Sequence, residues 1–289
     1  MSEPENLDDF LTEGQLRCLH VWQPGARLEA DLSWHETDTL VLQVESGGRR
    51  FTLKSAGEDN HHFDRELQAH RGHTAAMVAA GYCAPLIAFS RSQRLMLLDY
   101  LPGVLADKTP ASTDQAIHHQ AGIALKILHD GHSRVDEGYE ARLIAKCRQV
   151  LGRKHRIPAP TEQAIVHCLD SFSPQAAMLV PTHGDWQPRN WLTDAGKLRV
   201  IDFGRFEFRP AATDLVRLAS QQWKGRPDLE SAFFAGYGTD PRSPRDWPLL
   251  YLQEAIGTAV WAYSMGAEEF EAQGHRMLAD ALEMFGIQP

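Results

Sequence analysis

The sequence predicts an α+β protein of two lobes, a small lobe with an antiparallel sheet plus one helix and a large lobe that is mostly helical. Three observations predict this. Extended apolar patterns cluster before residue 98, whereas later segments mostly follow a helical period. At 289 residues the chain is long for one compact core. Between the two regions, Asp99-Tyr-Leu-Pro-Gly103 breaks the pattern. The expected division is therefore 1–98 for the first lobe, 99–103 for a hinge and 104–289 for the second lobe.

In order along the chain, strands are expected near 27–33 and 38–45. Glu45-Ser-Gly-Gly-Arg49 is a tight turn into a third strand at 50–55. Arg50-Phe-Thr-Leu-Lys-Ser55 alternates as a half-buried strand with Lys54 near its end. A helix is expected over 61–80, with Glu66 in Phe63-Asp-Arg-Glu-Leu-Gln-Ala-His70, and the apolar run 94–98 is a further strand. Helices are expected in the large lobe at 112–131, 137–151, 161–171, 211–223, 227–236, 246–264 and 267–285. Asp136 and Thr161 are candidate caps.

The most informative stretch is Pro181-Thr-His-Gly-Asp-Trp-Gln-Pro-Arg-Asn190, followed by Val200-Ile-Asp-Phe-Gly204. The apolar run Ala177-Met-Leu-Val180 delivers His183 to Asp185 to a strand end. Pro188 stiffens the loop that follows, and Arg189 adds positive charge. Asp194-Ala-Gly196 is a hairpin signal, and Leu198-Arg-Val-Ile201 returns the chain so that Asp202 comes beside the first loop. The hairpin gathers Asp185, Asn190 and Asp202. Phosphoryl transfer from ATP requires such a set. One carboxylate accepts or orients the proton of the attacking hydroxyl, while an amide and a second carboxylate hold Mg²⁺ against the phosphates.

His183-Gly184-Asp185, Asn190 and Ile201-Asp202-Phe203 together resemble the motif of the aminoglycoside phosphotransferase and choline kinase-like family, the small-molecule branch of the protein kinase-like fold. The resemblance implies that Asp185 is the catalytic base and that Asn190 and Asp202 bind Mg²⁺. It implies that Lys54, held by Glu66, grips the α- and β-phosphates. It further implies that backbone groups of Asp99, Tyr100 and Leu101 bind adenine, and that His183 and Asp214 support the catalytic loop. Asp214 is equally well placed as a helix cap or first-turn acid. Gly184, where protein kinases usually carry arginine, leans toward a small-molecule acceptor, and no Ala-Pro-Glu follows Asp202 to anchor an activation loop. A protein kinase and a non-catalytic nucleotide-binding module are thus the lesser alternatives. One departure stands out. The segment that should cover the phosphates, around Asp31-Leu-Ser-Trp-His-Glu-Thr37, has no Gly-x-Gly, and Ser33 and Thr37 are its candidate contacts.

The acceptor expected first is an aminoglycoside or another antibiotic. A metabolite such as choline, homoserine, thiamine or a sugar is the alternative. Eight acids against three arginines from Thr239 onward would form an acidic wall for a cationic acceptor, unless they simply form a solvated helical face. Trp186, beside Asp185, is a candidate for stacking on a sugar, against the commoner fate of core packing.

A formal net charge of −9 without a dense basic stripe argues against nucleic acid. Four scattered cysteines offer no zinc spacing and fit reduced thiols. The fourteen histidines include His61-His62 and His118-His119, but adjacent helical residues do not share a face, so a histidine metal site is not expected. The acidic N-terminus and the lack of any long apolar run lead to the expectation of a cytoplasmic protein without membrane contact, monomeric or homodimeric.

Overall fold

The computed structural model describes residues 6–34 and 38–287. It begins with α1 (Glu13–Trp22), which enters through a capping box: the Thr12 hydroxyl accepts from Gln15 N, and the Gln15 side chain accepts from Thr12 N. The strands β1 (Arg27–Asp31), β2 (Thr39–Ser46) and β3 (Arg49–Ala56) follow, then α2 (His61–Gly72), α3 (Ala75–Ala79), β4 (Leu86–Ser90) and β5 (Leu95–Asp99). The strands form one antiparallel five-stranded sheet in the order β1-β2-β3-β5-β4.

Alternation along these strands sets the position of the site. Leu42, Val44, Phe51, Leu53, Leu95 and Leu97 point to one face, where they pack with Leu11 and Leu19 of the N-terminal segment. Lys54 and its cross-strand partner Met96 point to the other face, where Phe63 and Leu67 of α2 cover Met96. A slip of one residue would send Lys54 into the apolar core.

The chain then passes through β6 (Val104–Leu105), α4 (Gln115–His129), β7 (Arg134–Asp136), α5 (Tyr139–Leu151), α6 (Ala159–Ser171), β8 (Ala177–Thr182), β9 (Trp191–Asp194), β10 (Lys197–Val200), β11 (Glu207–Arg209), α7 (Val216–Ser220), α8 (Pro227–Tyr237), α9 (Trp247–Met265) and α10 (Glu268–Met284). Two small antiparallel sheets, β10-β9-β6 and β11-β8-β7, carry the loops of the motif. One core joins α5, α6, α9 and α10. A second joins α4 and α8 to Trp186, Trp191, Phe203 and Phe206.

Two expectations about elements need correction. The first lobe was expected to hold one helix, but three accompany the sheet, because the capped α1 precedes it and the 61–80 segment breaks. The break falls at Gly72-His73-Thr74, where a glycine is followed by a β-branched residue, both poor helix formers. The 211–223 helix opens as a 3₁₀ turn, Ala211–Leu215, before the short α7. Of the two fates weighed for Trp186, core packing holds: it is 1% exposed and packs against Trp191 and His183.

Helices α4 and α8 meet backbone to backbone. A Cβ on Gly122 would lie 2.1 Å from the Phe233 carbonyl oxygen, and one on Gly236 would lie 2.0 Å from that of His119. Neither contact can be relieved by turning a side chain. Gly122→Ala is expected to lower unfolding free energy by about 2 kcal/mol in denaturant titration. An unchanged midpoint would show that the two helices separate freely.

Candidate active site

Between the sheet and the helical region lies a cavity of 720 Å³ lined by Lys54, Glu66, Asp99, Tyr100, Leu101, Asp185, Asn190 and Asp202. Lys54 Nζ donates to Glu66 Oε1 at 2.6 Å, joining β3 to α2. Burial alone would lower the Lys54 pKa, but the carboxylates of Glu66 and Asp202 outweigh it and hold the ammonium charged. At the end of β5, Asp99 N donates to Pro85 O and Tyr100 N to Arg50 O, whereas the Leu101 N–H has no partner among the described residues. Leu101 lines the cavity, and a backbone N–H there is a donor of the kind that a nucleobase needs.

The motif loop hangs on Asp214. This buried carboxylate accepts from His183 N at 2.8 Å and Gly184 N at 2.6 Å, and His129 Nε2 lies 3.1 Å away. Burial would raise the Asp214 pKa, but the hydrogen bond and charge of His129 and the Gly184 N–H lower it. His183 Nε2 in turn bonds the Ile201 carbonyl at 3.0 Å, tying the loop to the segment that carries Asp202. Gly184 adopts φ +81°, and a Cβ there would lie 2.3 Å from the Arg205 carbonyl oxygen, so this backbone fold excludes a side chain.

Asp185 is 4% exposed and heavily bonded. Its Oδ2 accepts from Arg189 Nη2 at 2.6 Å and from Asn190 Nδ2 at 2.9 Å; its Oδ1 accepts from Gln187 and Arg217. Burial pushes its pKa up, but the guanidiniums of Arg217, Arg189 and Arg205 reverse this and hold the carboxyl well below the usual carboxylate range. Arg217 also pairs with Glu254 of α9 at 2.7 Å.

The Asn190 amide nitrogen donates to both the Asp185 backbone and side-chain oxygens, which leaves its amide oxygen as a lone-pair ligand for a cation. Asp202 sits at φ +63°, a region that aspartate tolerates better than most residues, and its Oδ1 accepts from Gly204 N at 3.2 Å. An amide oxygen and a carboxylate are hard oxygen donors that fit Mg²⁺, which characteristically takes few protein ligands and completes its shell with phosphate and water. Among the described residues no group of three or more His, Cys, Asp or Glu could hold a metal, and no helix is long and apolar enough to cross a membrane.

A model of the phosphotransferase enzyme family matches residues 28–247. The chain belongs to that family. It is a small-molecule phosphotransferase with the protein kinase-like, two-lobed α+β fold. Similar solved structures include a thermostable mutant of aminoglycoside phosphotransferase APH(4)-Ia in ternary complex with ADP and hygromycin B. It is 13% identical, with a TM-score of 0.69 over 94% of this chain and 99% of the other. Choline kinase LicA from Streptococcus pneumoniae is 11% identical, with a TM-score of 0.66 over 93% and 97%. Spectinomycin phosphotransferase APH(9)-Ia, in complex with ADP and spectinomycin, is 11% identical, with a TM-score of 0.61 over 98% and 100%. No curated protein matches the sequence.

Several expected features fall elsewhere in this phosphotransferase. Thr37 lies outside the described residues. The Ser33 hydroxyl is taken up by Val41, whose N–H it accepts at 2.9 Å, so it pins the β1–β2 hairpin. The acidic C-terminal wall does not form, because Asp240, Asp246, Glu254, Glu271 and Asp280 pair with Arg242, Arg245, Arg217, Arg156 and Lys224. Glu268, Glu269 and Glu283 are exposed on α10, away from the cavity. Sequence reasoning missed Arg205 and Arg217; the only signal for the latter was its place three residues after Asp214.

Removing Arg217 leaves both Asp185 and Glu254 short of a partner. Arg217→Met is expected to cost about 3 kcal/mol of unfolding free energy at neutral pH. Because the folded-state pKa of Asp185 is depressed, its share of that stability is present above the unfolded pKa of about 3.9 and fades as pH falls toward the folded value. Denaturant titrations near pH 7 that show less than about 1 kcal/mol of loss would contradict this account of the cluster.

Proposed function

We propose that this phosphotransferase moves the γ-phosphoryl group of ATP to a hydroxyl of a small molecule in one direct in-line step. The observation that carries the reading is the convergence of Lys54–Glu66, Asp185–Asn190 and Asp202 on one cavity that Leu101 also lines. In this reading residues 1–98 form the nucleotide-binding lobe, 99–103 the hinge, and 104–289 the lobe that binds the acceptor. Asp99, Tyr100 and Leu101 hold adenine through the backbone, and Lys54, fixed by Glu66, grips the α- and β-phosphates.

Asn190 and Asp202 would hold Mg²⁺, which supplies charge neutralisation on the phosphates. Asp185 accepts a hydrogen bond from the acceptor hydroxyl and directs its oxygen at the γ-phosphorus. The new oxygen–phosphorus bond forms as the bond to the β,γ-bridging oxygen breaks. The hydroxyl proton passes to Asp185, and ADP leaves. An Asp185 held so far below the usual carboxylate range is a weak proton sink, so positioning is its main contribution. His183 and Asp214 keep its loop in place.

Fold neighbours that bind hygromycin B or spectinomycin, and a choline kinase, support a hydroxylated antibiotic or metabolite as acceptor. An aminoglycoside, and with it a role in antibiotic resistance, draws support from those neighbours. It draws none from the charges around Asp185, which favour the metabolite class. A cytoplasmic protein acting as a monomer or homodimer is consistent with this activity.

Asp185→Ala is expected to lower acceptor-dependent ADP release about a hundredfold or more while nucleotide binding persists. Near-wild-type turnover would remove Asp185 from its role. Asp202→Ala is expected to abolish the gain in ATP affinity that Mg²⁺ provides, measured calorimetrically; an unchanged gain would sink the ligand assignment.

A further inference from the structure

The Asp185 end of the cavity holds more positive charge than its carboxylates balance. Arg189 and Arg217 both bond Asp185, and Arg217 also pairs with Glu254. Two guanidiniums thus meet two carboxylates. The third, Arg205, makes no side-chain hydrogen bond or ion pair among the described residues, and it is an exposed residue that lines the cavity. Its principal electrostatic neighbours are Arg217, Asp185, Glu254 and Arg189, all on the Asp185 side.

No carboxylate is free at that end to meet an ammonium group. Of the carboxylates lining the cavity, Glu66 is paired with Lys54, Asp38 accepts from Asn60, and Asp99 lies at the hinge beside Arg49. Asp202 is the proposed metal ligand, and Asp185 is bonded to two arginines. A polycation placed here would meet Arg205, whose charge Asp185 and Glu254 offset only in part, at a cost that solvent screening lowers because Arg205 is exposed.

We propose that the acceptor carries an anionic group, a carboxylate or a phosphate, which Arg205 binds while a hydroxyl of the same molecule faces Asp185. A guanidinium suits this task because its planar donors match either oxyanion two at a time. The proposal rests on the kinase reading above. It names Arg205 as the residue that sets acceptor specificity, and it places the acceptor among hydroxy acids, sugar acids and sugar phosphates. The transfer balances as before: the acceptor hydroxyl loses its proton to Asp185, gains the phosphoryl group, and leaves with one more anionic group than it brought.

The test is ADP release from Mg-ATP with matched acceptors: gluconate, glycerate and glucose 6-phosphate against glucose, glucosamine and kanamycin. Turnover is expected on acidic members, the carboxylates and the phosphate distinguishing the two anions. Arg205→Gln is expected to raise the KM of that acceptor about tenfold to a hundredfold, with Arg205→Lys in between and the KM for ATP little changed. Turnover confined to neutral or cationic acceptors would overturn the proposal and leave the kinase reading standing. Silence on every acidic member, in a protein that binds Mg-ATP, would also overturn it. So would an Arg205→Gln effect that falls on ATP instead of the acceptor, since Arg205 would then serve the phosphates. Failure to bind Mg-ATP at all would sink both readings together.

Discussion

One buried carboxylate holds the site in shape. Asp214 takes the backbone N–H groups of His183 and Gly184 and the ring of His129, whose other nitrogen lies 2.8 Å from the Tyr237 hydroxyl. A loop that turns through a positive φ at Gly184 has donors that no strand can satisfy, and a buried donor left open is costly. Asp214 satisfies two of them at once. It also ties β8 to α4 and α8, the helices that meet through Gly122 and Gly236. The position of Asp185 is thus inherited from the packing of the helical lobe.

The two ends of the cavity differ in their electrostatics. At the sheet end, Lys54 is enclosed by Glu66 and Asp202, so its charge is already balanced before any phosphate arrives. At the other end, Asp185 is surrounded by arginines and the local balance is positive. A buried carboxylate with four side-chain donors stays ionised and fixed in direction, which suits orienting a hydroxyl more than strong proton abstraction. Arg205 alone among these arginines has no hydrogen-bond or ion-pair partner among the described residues.

Most of the fold was legible because its patterns were local. Alternation placed β2, β3 and β5 within a residue or two, and the spacing of Asp185, Asn190 and Asp202 followed from a hairpin whose turn is written in Asp194-Ala-Gly196. The proximity of Lys54 to Glu66 was legible from a strand end and a helix twelve residues apart. What escaped was tertiary. Helix α1 had its signal in Thr12-Glu-Gly-Gln15. By contrast, nothing local distinguishes Arg217 from a surface arginine, and only the approach of α9 gives it Glu254. The acidic C-terminal count left its two readings open for the same reason, since sequence shows charges but not their partners. For Trp186 the commoner fate, core packing, holds: adjacency to Asp185 along the chain says nothing of which way the ring turns, and the ring turns into the core.

The central claim is that this chain transfers phosphate from ATP to a small molecule without a covalent enzyme intermediate. The most direct measurement incubates the protein with γ-labelled Mg-ATP and the low-molecular-mass fraction of a cell extract, then follows the label. The account predicts label in a phosphomonoester of low mass and none on the protein. Label held covalently by the protein, or released only as inorganic phosphate, would contradict it.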